Sequence, residues 1–210
     1  MTEGRWRVEF PPVTDEETAR ILSSEQRTGR KLNLGCGRDI RPKEEGWTNL
    51  DLVGLPGVDV VHDIFDLPYP FDDAAFDHIL ASHVLEHIPD RLGDEDGLLR
   101  VMDELHRILA PGGVLHVKVP HYRLEPEVYF SNPTHYRLIS PLTFAGYLGI
   151  DGTCIQYHTA ARFRHMVTRE NRKTRLFGDR INSWHLKKYL GMENLPGLSK
   201  PYELEIFLEK

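Results

Sequence analysis

The stretch His83-Val84-Leu85-Glu86-His87-Ile88 admits two readings that lead to different folds. Taken alone, its H-x-x-E-H spacing sets two imidazoles and a carboxylate near one face of a helix, a pattern suited to zinc. Taken with the preceding FDHILAS (76–82), it is the turn that follows a buried strand. Pro89 comes directly after Ile88. A proline inside a helix removes a backbone donor and clashes with the turn before it, so the helix is cut to barely two turns. A zinc site would also need a third ligand on another element. The strand reading needs a sheet around it, and the chain has that rhythm.

KLNLG (31–35), WTNLDL (47–52), VDVVHD (58–63), FDHILAS (76–82) and VLHVKV (114–119) are short, apolar or β-branched, and bounded by turn residues, so each predicts a strand. Between the last two, Leu98, Met102, Leu105 and Leu109 fall on one face of a helix expected over about 94–109, with PGG (111–113) stopping it. Alternating strands and helices predict an α/β fold with a doubly wound, mostly parallel sheet covered on both faces. Only nine residues lie between Gly37 and Trp47, with Pro42 and Gly46 among them. A parallel crossover usually takes a dozen residues or more, so the first crossover helix is expected to be shortened or absent.

Elsewhere, Thr14 or Asp15 can cap a helix running to about Arg27, behind an N-terminal arm. Residues 121–140, rich in His, Tyr and Pro, read as a long functional loop, and PLTFAGYLG (141–149) as a short helix. TCIQYHTAA (153–161) reads as a strand, SWHLKKYLG (183–191) as a helix, and YELEIFLEK (202–210) as an edge strand, antiparallel to the rest. The whole of 1–210 is expected to be one domain, with 121–150 and 160–200 forming a cover over the substrate.

With 40% hydrophobic and 28% charged residues, the 210-residue chain has an ordinary globular composition. No apolar run approaches the roughly 18 residues of a membrane span, and the first ten residues lack the apolar core of a secretory signal. Two cysteines cannot build a disulfide framework, so a reduced, cytoplasmic setting is expected. The net charge of −6 divides unevenly: 162–188 holds nine Lys/Arg against two acids, +7, which leaves −13 elsewhere. Overall acidity argues against general nucleic-acid binding, while the basic segment suits one anionic group such as a phosphate on the acceptor.

The ligand-facing candidates cluster at strand ends. Gly35 and Gly37, after the first strand, let backbone approach a ligand where a Cβ would clash. Neither phosphate-loop nor dinucleotide fingerprint is complete, since Ile40 stands where the latter needs its third glycine. Asp51 ends the second strand, where a carboxylate can accept from both hydroxyls of a ribose. Asp63 follows the third strand, where an acid can accept from an exocyclic amine of adenine, with Ile64 and Phe65 against the ring faces.

LNLGCG (32–37), NLDL (49–52), HDIFDLPYPFDDAAFDHILASHVLEHI (62–88) and LHRILAPGGVLHVKVPH (105–121) together resemble the class I S-adenosylmethionine-dependent methyltransferases over about 31–120. The resemblance is to small members in which GCGR runs almost directly into W-x-N-x-D, several with a P-T-H-x-R segment, here Pro133 to Arg137. Many of those belong to polysaccharide or secondary-metabolite pathways. The resemblance implies a Rossmann-like sheet of seven strands with the last antiparallel. It implies S-adenosylmethionine as cofactor, held by Asn33, Gly35, Cys36, Gly37, Asp51, Leu52, Asp63, Ile64, Phe65, Ser82 and His83. Ala81, Ser82 and His83 would form the floor beneath the methyl group, with Glu86 and His87 structural and no metal ligand in the site. Two positions depart from the family: Asn33 replaces an acid two residues before the first glycine, and Asp39 replaces a third glycine.

Methyl transfer from a sulfonium draws on alignment and exclusion of water, and a hydroxyl acceptor also needs a proton sink. His121 and His135 are the catalytic candidates, with Tyr122 and Tyr136 shaping an acceptor pocket. The expected function is methylation of a small molecule, foremost a hydroxyl of a sugar or sugar-derived metabolite. Two rivals stand beside it: a non-catalytic cofactor-binding partner subunit, compatible with Asn33 and Asp39, and a zinc-dependent hydrolase using His83, Glu86 and His87. A homo-oligomer is compatible with the sequence.

Overall fold

Leu32, Leu34, Leu50, Ile79, Leu80, Val117 and Ile206 have no solvent exposure, and they come from five different strands. The computed structural model describes residues 9–122, 129–150, 155–174 and 199–210. In chain order its elements are α1 (Asp15–Leu22), β1 (Lys31–Leu34), β2 (Trp47–Asp51), β3 (Val60–Val61), β4 (Phe76–Ser82), a hairpin of β5 (Arg91–Leu92) and β6 (Glu95–Asp96), α2 (Gly97–Ile108), β7 (Leu109–Pro120), β8 (His165–Thr174) and β9 (Ser199–Glu209). Seven strands make one sheet in the order β3-β2-β1-β4-β7-β9-β8. β1, β2, β3, β4 and β7 pair in parallel, and β9 runs antiparallel to both its neighbours. This is the Rossmann-like arrangement the sequence predicts.

The two faces are covered by different helices. α2 buries Leu98, Val101, Met102, Leu105 and Ile108 in the main core, and Asp96 caps it by accepting from the Leu99 N–H at 3.0 Å. On the other face α1 contributes Ile21, packed with Val114 and Phe207. Its cap is a reciprocal box: Thr14 Oγ1 accepts from the Glu17 N–H, and Glu17 Oε2 accepts from the Thr14 N–H. The helix stops at Leu22, and a 3₁₀ turn (Ser24–Gln26) takes up the length the sequence assigns to the helix.

The first crossover has no α-helix, only a 3₁₀ turn at Lys43–Glu45. Side-chain amides carry out the work of the missing helix. Asn33 Nδ2 donates to Asp39 O at 2.7 Å and to Asn49 Oδ1 at 3.1 Å, while Asn49 exchanges bonds with the backbone of Arg41 at 2.8 and 2.9 Å. Backbone groups of the crossover that a helix would satisfy internally are thus satisfied by two strand asparagines.

Three expectations need correction. Residues 153–161 are no strand where described: Ile155–Tyr157 is a 3₁₀ turn, and the strand lies at His165–Thr174, inside the basic segment. Its polar side chains hid it, because they bond to acids of the neighbouring strand: Arg169 to Glu205, Asn171 to Glu203 and Glu205, and His165 to Glu209. For the same reason YELEIFLEK is not an edge strand but an interior one, with Leu204, Ile206 and Leu208 on the core face. PGG does not separate helix from strand either, since β7 begins at Leu109 and Gly112 donates to Lys210 O at 2.9 Å. The helix expected at 183–191 lies outside the described residues. Among the described residues no helix is long and apolar enough to cross a membrane.

Candidate active site

β1, β2 and β4 all end at the same edge of the sheet, and the turns after them meet there. Gly35 and Gly37 have φ of +62° and +53°, in the left-handed region that favours glycine. They serve different ends. A Cβ on Gly35 would stand 2.8 Å from Val84 Cγ2, so this glycine lets the turn pack on the HVLEHI segment. A Cβ on Gly37 would meet nothing within 4 Å, which leaves open space beside the backbone. Asp51 reaches this turn from β2. Its Oδ2 accepts from the Gly37 N–H at 2.7 Å and its Oδ1 from the Val53 N–H at 3.0 Å. Each oxygen keeps a second lone pair for a ribose hydroxyl. Leu52, next to it, is 60% exposed. Open space, a pinned carboxylate and an uncovered apolar side chain fit the adenosine end of the expected cofactor.

Asn33 and Cys36 support that turn from inside. Asn33 is buried and its amide braces the crossover, as described above. The Cys36 N–H donates to Leu50 O at 3.0 Å, and burial, with Asp51 close by, pushes its thiol up to about 11. Cys36 therefore stays a thiol, as its reading as a small turn residue requires.

After β3, Asp63 forms a turn with its own backbone, its Oδ1 accepting from the Phe65 N–H at 2.9 Å. Ile64 packs against the core, and its carbonyl accepts from the Tyr69 hydroxyl at 3.0 Å. Of this trio Phe65 is the one with an exposed ring.

β4 ends at half-buried Ser82, and the chain then turns sharply. His83 has φ +55°, an uncommon value outside glycine, and its N–H donates to Lys118 O at 2.8 Å. Its ring bridges two carboxylates, with Nε2 3.0 Å from Glu203 Oε2 and Nδ1 3.2 Å from Glu86 Oε1. The hydrogen bonds its ring donates to Glu203 and then to Glu86 outweigh desolvation and push the imidazole up to about 9. His83 is thus protonated at neutral pH. With both ring nitrogens engaged and only a 3₁₀ turn at Leu85–His87, the H-x-x-E-H set does not assemble as a zinc helix. Glu203 was not singled out from the sequence. The alternation of YELEIFLEK put it on a face with Glu205 and Glu209, but nothing in it says that β9 carries Glu203 past His83.

The segment after 129 clamps the same turn. Tyr136 N–H donates to Glu86 O at 2.9 Å, and Arg137 donates to the carbonyls of Ile88 at 3.1 Å and Pro89 at 2.9 Å. His87 Nδ1 lies 3.0 Å from Thr134 O, His135 Nδ1 donates to Tyr129 O at 2.7 Å, and the two rings meet edge to face at 4.8 Å. P-T-H-Y-R is therefore the partner of HVLEHI. His121 lies at the end of β7, fully buried, with Nε2 3.1 Å from Glu170 Oε1 and its ring stacked on Tyr122. The structure brings His135 to the HVLEHI turn and draws His121 toward β8. Among the described residues of the cover segments, Pro141–Leu148 buries Phe144 and Tyr147 in the core, 165–174 is β8, and 129–140 packs on the HVLEHI turn.

A wide groove of about 730 Å³ opens at the other end of the sheet, beside Glu25, Lys31, Arg41 and Trp47. Open α/β sheets bind ligands at the carboxyl ends of their strands, so size does not make this groove the site.

No curated protein matches the chain in sequence. Among solved structures, an S-adenosylmethionine-dependent methyltransferase from Archaeoglobus fulgidus is similar over 93% of this chain and 92% of its own, at 16% identity and a TM-score of 0.59. Methyltransferases from Mesorhizobium loti (16% identity, TM-score 0.50) and Methanosarcina mazei (15%, 0.50) each match over 91% of this chain and 96% of theirs. At these identities the likeness shows the fold. The model of the methyltransferase-domain family matches residues 9–172, which include the glycine turn, Asp51 and the HVLEHI turn with its clamp. The chain belongs to that family, and it is an enzyme with S-adenosylmethionine as its methyl donor.

Proposed function

We propose that this methyltransferase acts on a hydroxyl of a small, sugar-like acceptor. The observation that carries the reading is the surface of 129–138: Phe130, Leu138 and Tyr136 are 49%, 41% and 53% exposed, beside the paired rings of His87 and His135. Aromatic faces next to polar ring nitrogens suit a ligand with apolar C–H faces and hydroxyl edges. When bound, the cofactor supplies a methyl group on a sulfonium, a leaving group already activated. Gly37 and Asp51 hold its adenosine, Asp63 and Phe65 border the base, and Ser82 and His83 lie beneath the reacting end. Protonated His83 positions and is no proton acceptor. His135 acts at the acceptor oxygen, whereas His121, paired with Glu170, braces β7 against β8.

A phosphate on the acceptor has less support. Arg162 is committed to the carbonyls of Thr159 and Ala161, and Arg169 to Glu205, while 175–188 lies outside the described residues. The test is a panel of sugars, nucleotide-linked sugars, phenols and amines with labelled cofactor, read by mass spectrometry. Hydroxylated sugars are expected to take the label. Labelling of amines alone would overturn the acceptor class, and binding of S-adenosylhomocysteine without any methylated product would favour the non-catalytic partner.

A further inference from the structure

Glu86, His87 and His135 each offer a ligand atom within 4.8 Å of the other two. Glu86 is completely buried; its Oε1 faces His83, and its Oε2 has no hydrogen-bond partner. A buried polar atom left unpaired costs about 1–3 kcal/mol, and more when charged. The two imidazoles are already oriented. His135 Nδ1 points to the Tyr129 carbonyl, and His87 Nδ1 to the Thr134 carbonyl at 3.0 Å and the Thr134 hydroxyl at 2.9 Å, whose own proton goes to Asn132 Oδ1; only acceptors face each Nδ1, so each ring carries its proton there and a lone pair on Nε2. Metal-binding histidines are usually held by such a bond from the ring nitrogen that does not touch the ion.

We propose that Glu86 Oε2, His87 Nε2 and His135 Nε2 bind one first-row divalent transition-metal ion, such as Zn²⁺. Two imidazoles and one carboxylate suit that class better than Mg²⁺ or Ca²⁺, which prefer all-oxygen shells. With ligand bonds of about 2.0–2.2 Å the three atoms must draw closer together, which rotation of the two half-buried histidines allows. Three protein ligands leave coordination positions open, as in catalytic metal sites. The site begins four residues after Ser82, the end of β4, which places it near the reacting edge. There the ion would take over at the acceptor oxygen, with His135 as its ligand rather than as the base: it would lower the pKa of a bound hydroxyl so that the proton passes to water. The acceptor's oxygen lone pair forms the bond to the methyl carbon as the carbon–sulfur bond breaks, and sulfur keeps that electron pair. This role rests on the methyl-transfer reading; the ion site itself does not. One other set among the described residues, Glu25, His78 and His116, meets the same distance limit. There Arg41 pairs with Glu25 at 3.2 Å, and its guanidinium, unlike the His83 imidazolium beside Glu86, cannot shed its proton to admit a cation; His116 Nε2 is also taken by Glu205 Oε2 at 2.8 Å.

The test uses the full chain, stripped with chelator and titrated with Zn²⁺ by calorimetry and with Co²⁺ by visible ligand-field absorption. One equivalent is expected to bind at micromolar concentration or below. His135→Ala and His87→Gln should each weaken binding tenfold or more and abolish the Co²⁺ bands, while Glu25→Ala leaves both unchanged. No binding at hundreds of micromolar, binding indifferent to both histidine variants, or binding lost in Glu25→Ala overturns the proposal. S-adenosylhomocysteine affinity is measured on the same samples. Cofactor binding without metal sinks the ion site alone, and metal binding without cofactor sinks the methyl-transfer reading alone.

Discussion

Replacing Asp51 with asparagine separates holding the turn from holding the cofactor. In the structure the carboxylate accepts from two backbone N–H groups, Gly37 and Val53, one on each oxygen. Asparagine keeps one oxygen and turns an NH₂ toward the other donor. The free protein thus loses one hydrogen bond to a partly exposed N–H, worth about 1 kcal/mol, or a melting temperature lower by about 2–4 °C. The complex loses more. Two ribose hydroxyls donating to an anion become one donating to a neutral amide, and hydrogen bonds to charged groups contribute about 1.5–3 kcal/mol each. A loss of about 3 kcal/mol weakens binding about a hundredfold. Calorimetry with S-adenosylhomocysteine reads this directly. Comparing adenosine with 2′,3′-dideoxyadenosine on both proteins isolates the hydroxyls: the substitution should matter for the first and hardly for the second. A folded Asp51→Asn protein that binds S-adenosylhomocysteine within threefold of wild type, or treats both nucleosides alike, refutes the ribose assignment.

The glycines make a paired test. Gly35→Ala should destabilise the fold by several kcal/mol, because its Cβ would stand 2.8 Å from Val84 at positive φ, whereas Gly37→Ala should cost only about 1 kcal/mol yet weaken cofactor binding at least tenfold. Denaturant titration and calorimetry would show the split, and equal effects of the two on both readouts would contradict it. Burial pushes the Glu205 carboxyl up, but hydrogen bonds from His116, Arg169 and Asn171 outweigh this and hold it at about 2. A depressed folded value means that the contribution is full above the unfolded value of 4.5 and fades as pH falls toward 2. The wild-type advantage over Glu205→Gln, up to about 3 kcal/mol at pH 7, should shrink across that window, and a difference constant with pH would disprove the linkage. Thr14→Ala should cost about 1 kcal/mol through loss of the α1 cap, measured by denaturant midpoint.

Much of the frame was legible because burial writes itself into apolar runs. β1, β2, β4 and α2 stand within a few residues of their expected places, since a strand covered on both faces needs an unbroken apolar stretch. The short first crossover followed from chain length alone. What stayed hidden depends on partners distant in sequence. β8 could not be recognised while the acids that satisfy Arg169 and Asn171 were unplaced. In the site, the bend at Gly35 and Gly37 and the position of Asp51 beside it were visible because they come from local geometry. The doubly paired state of His83 was not, because Glu203 lies 120 residues further on. Asn33 reads as a weakened ligand in sequence; the bracing bonds of its amide to Asp39 O and Asn49 could not be read there, because they depend on Asn49 across the strand pair.

β9 comes after every other strand in chain order, yet it lies between β7 and β8. A polypeptide shortened before residue 199 would therefore lose not a fringe but a seam. β7 would present a bare row of backbone donors and acceptors, β8 would have nothing to join, and the imidazole after β4 would lack one of its two anions. Quality control in a cell would meet such a fragment as a sticky, half-closed sheet, so nonsense changes near the carboxyl end should lower the amount of protein before they alter its chemistry.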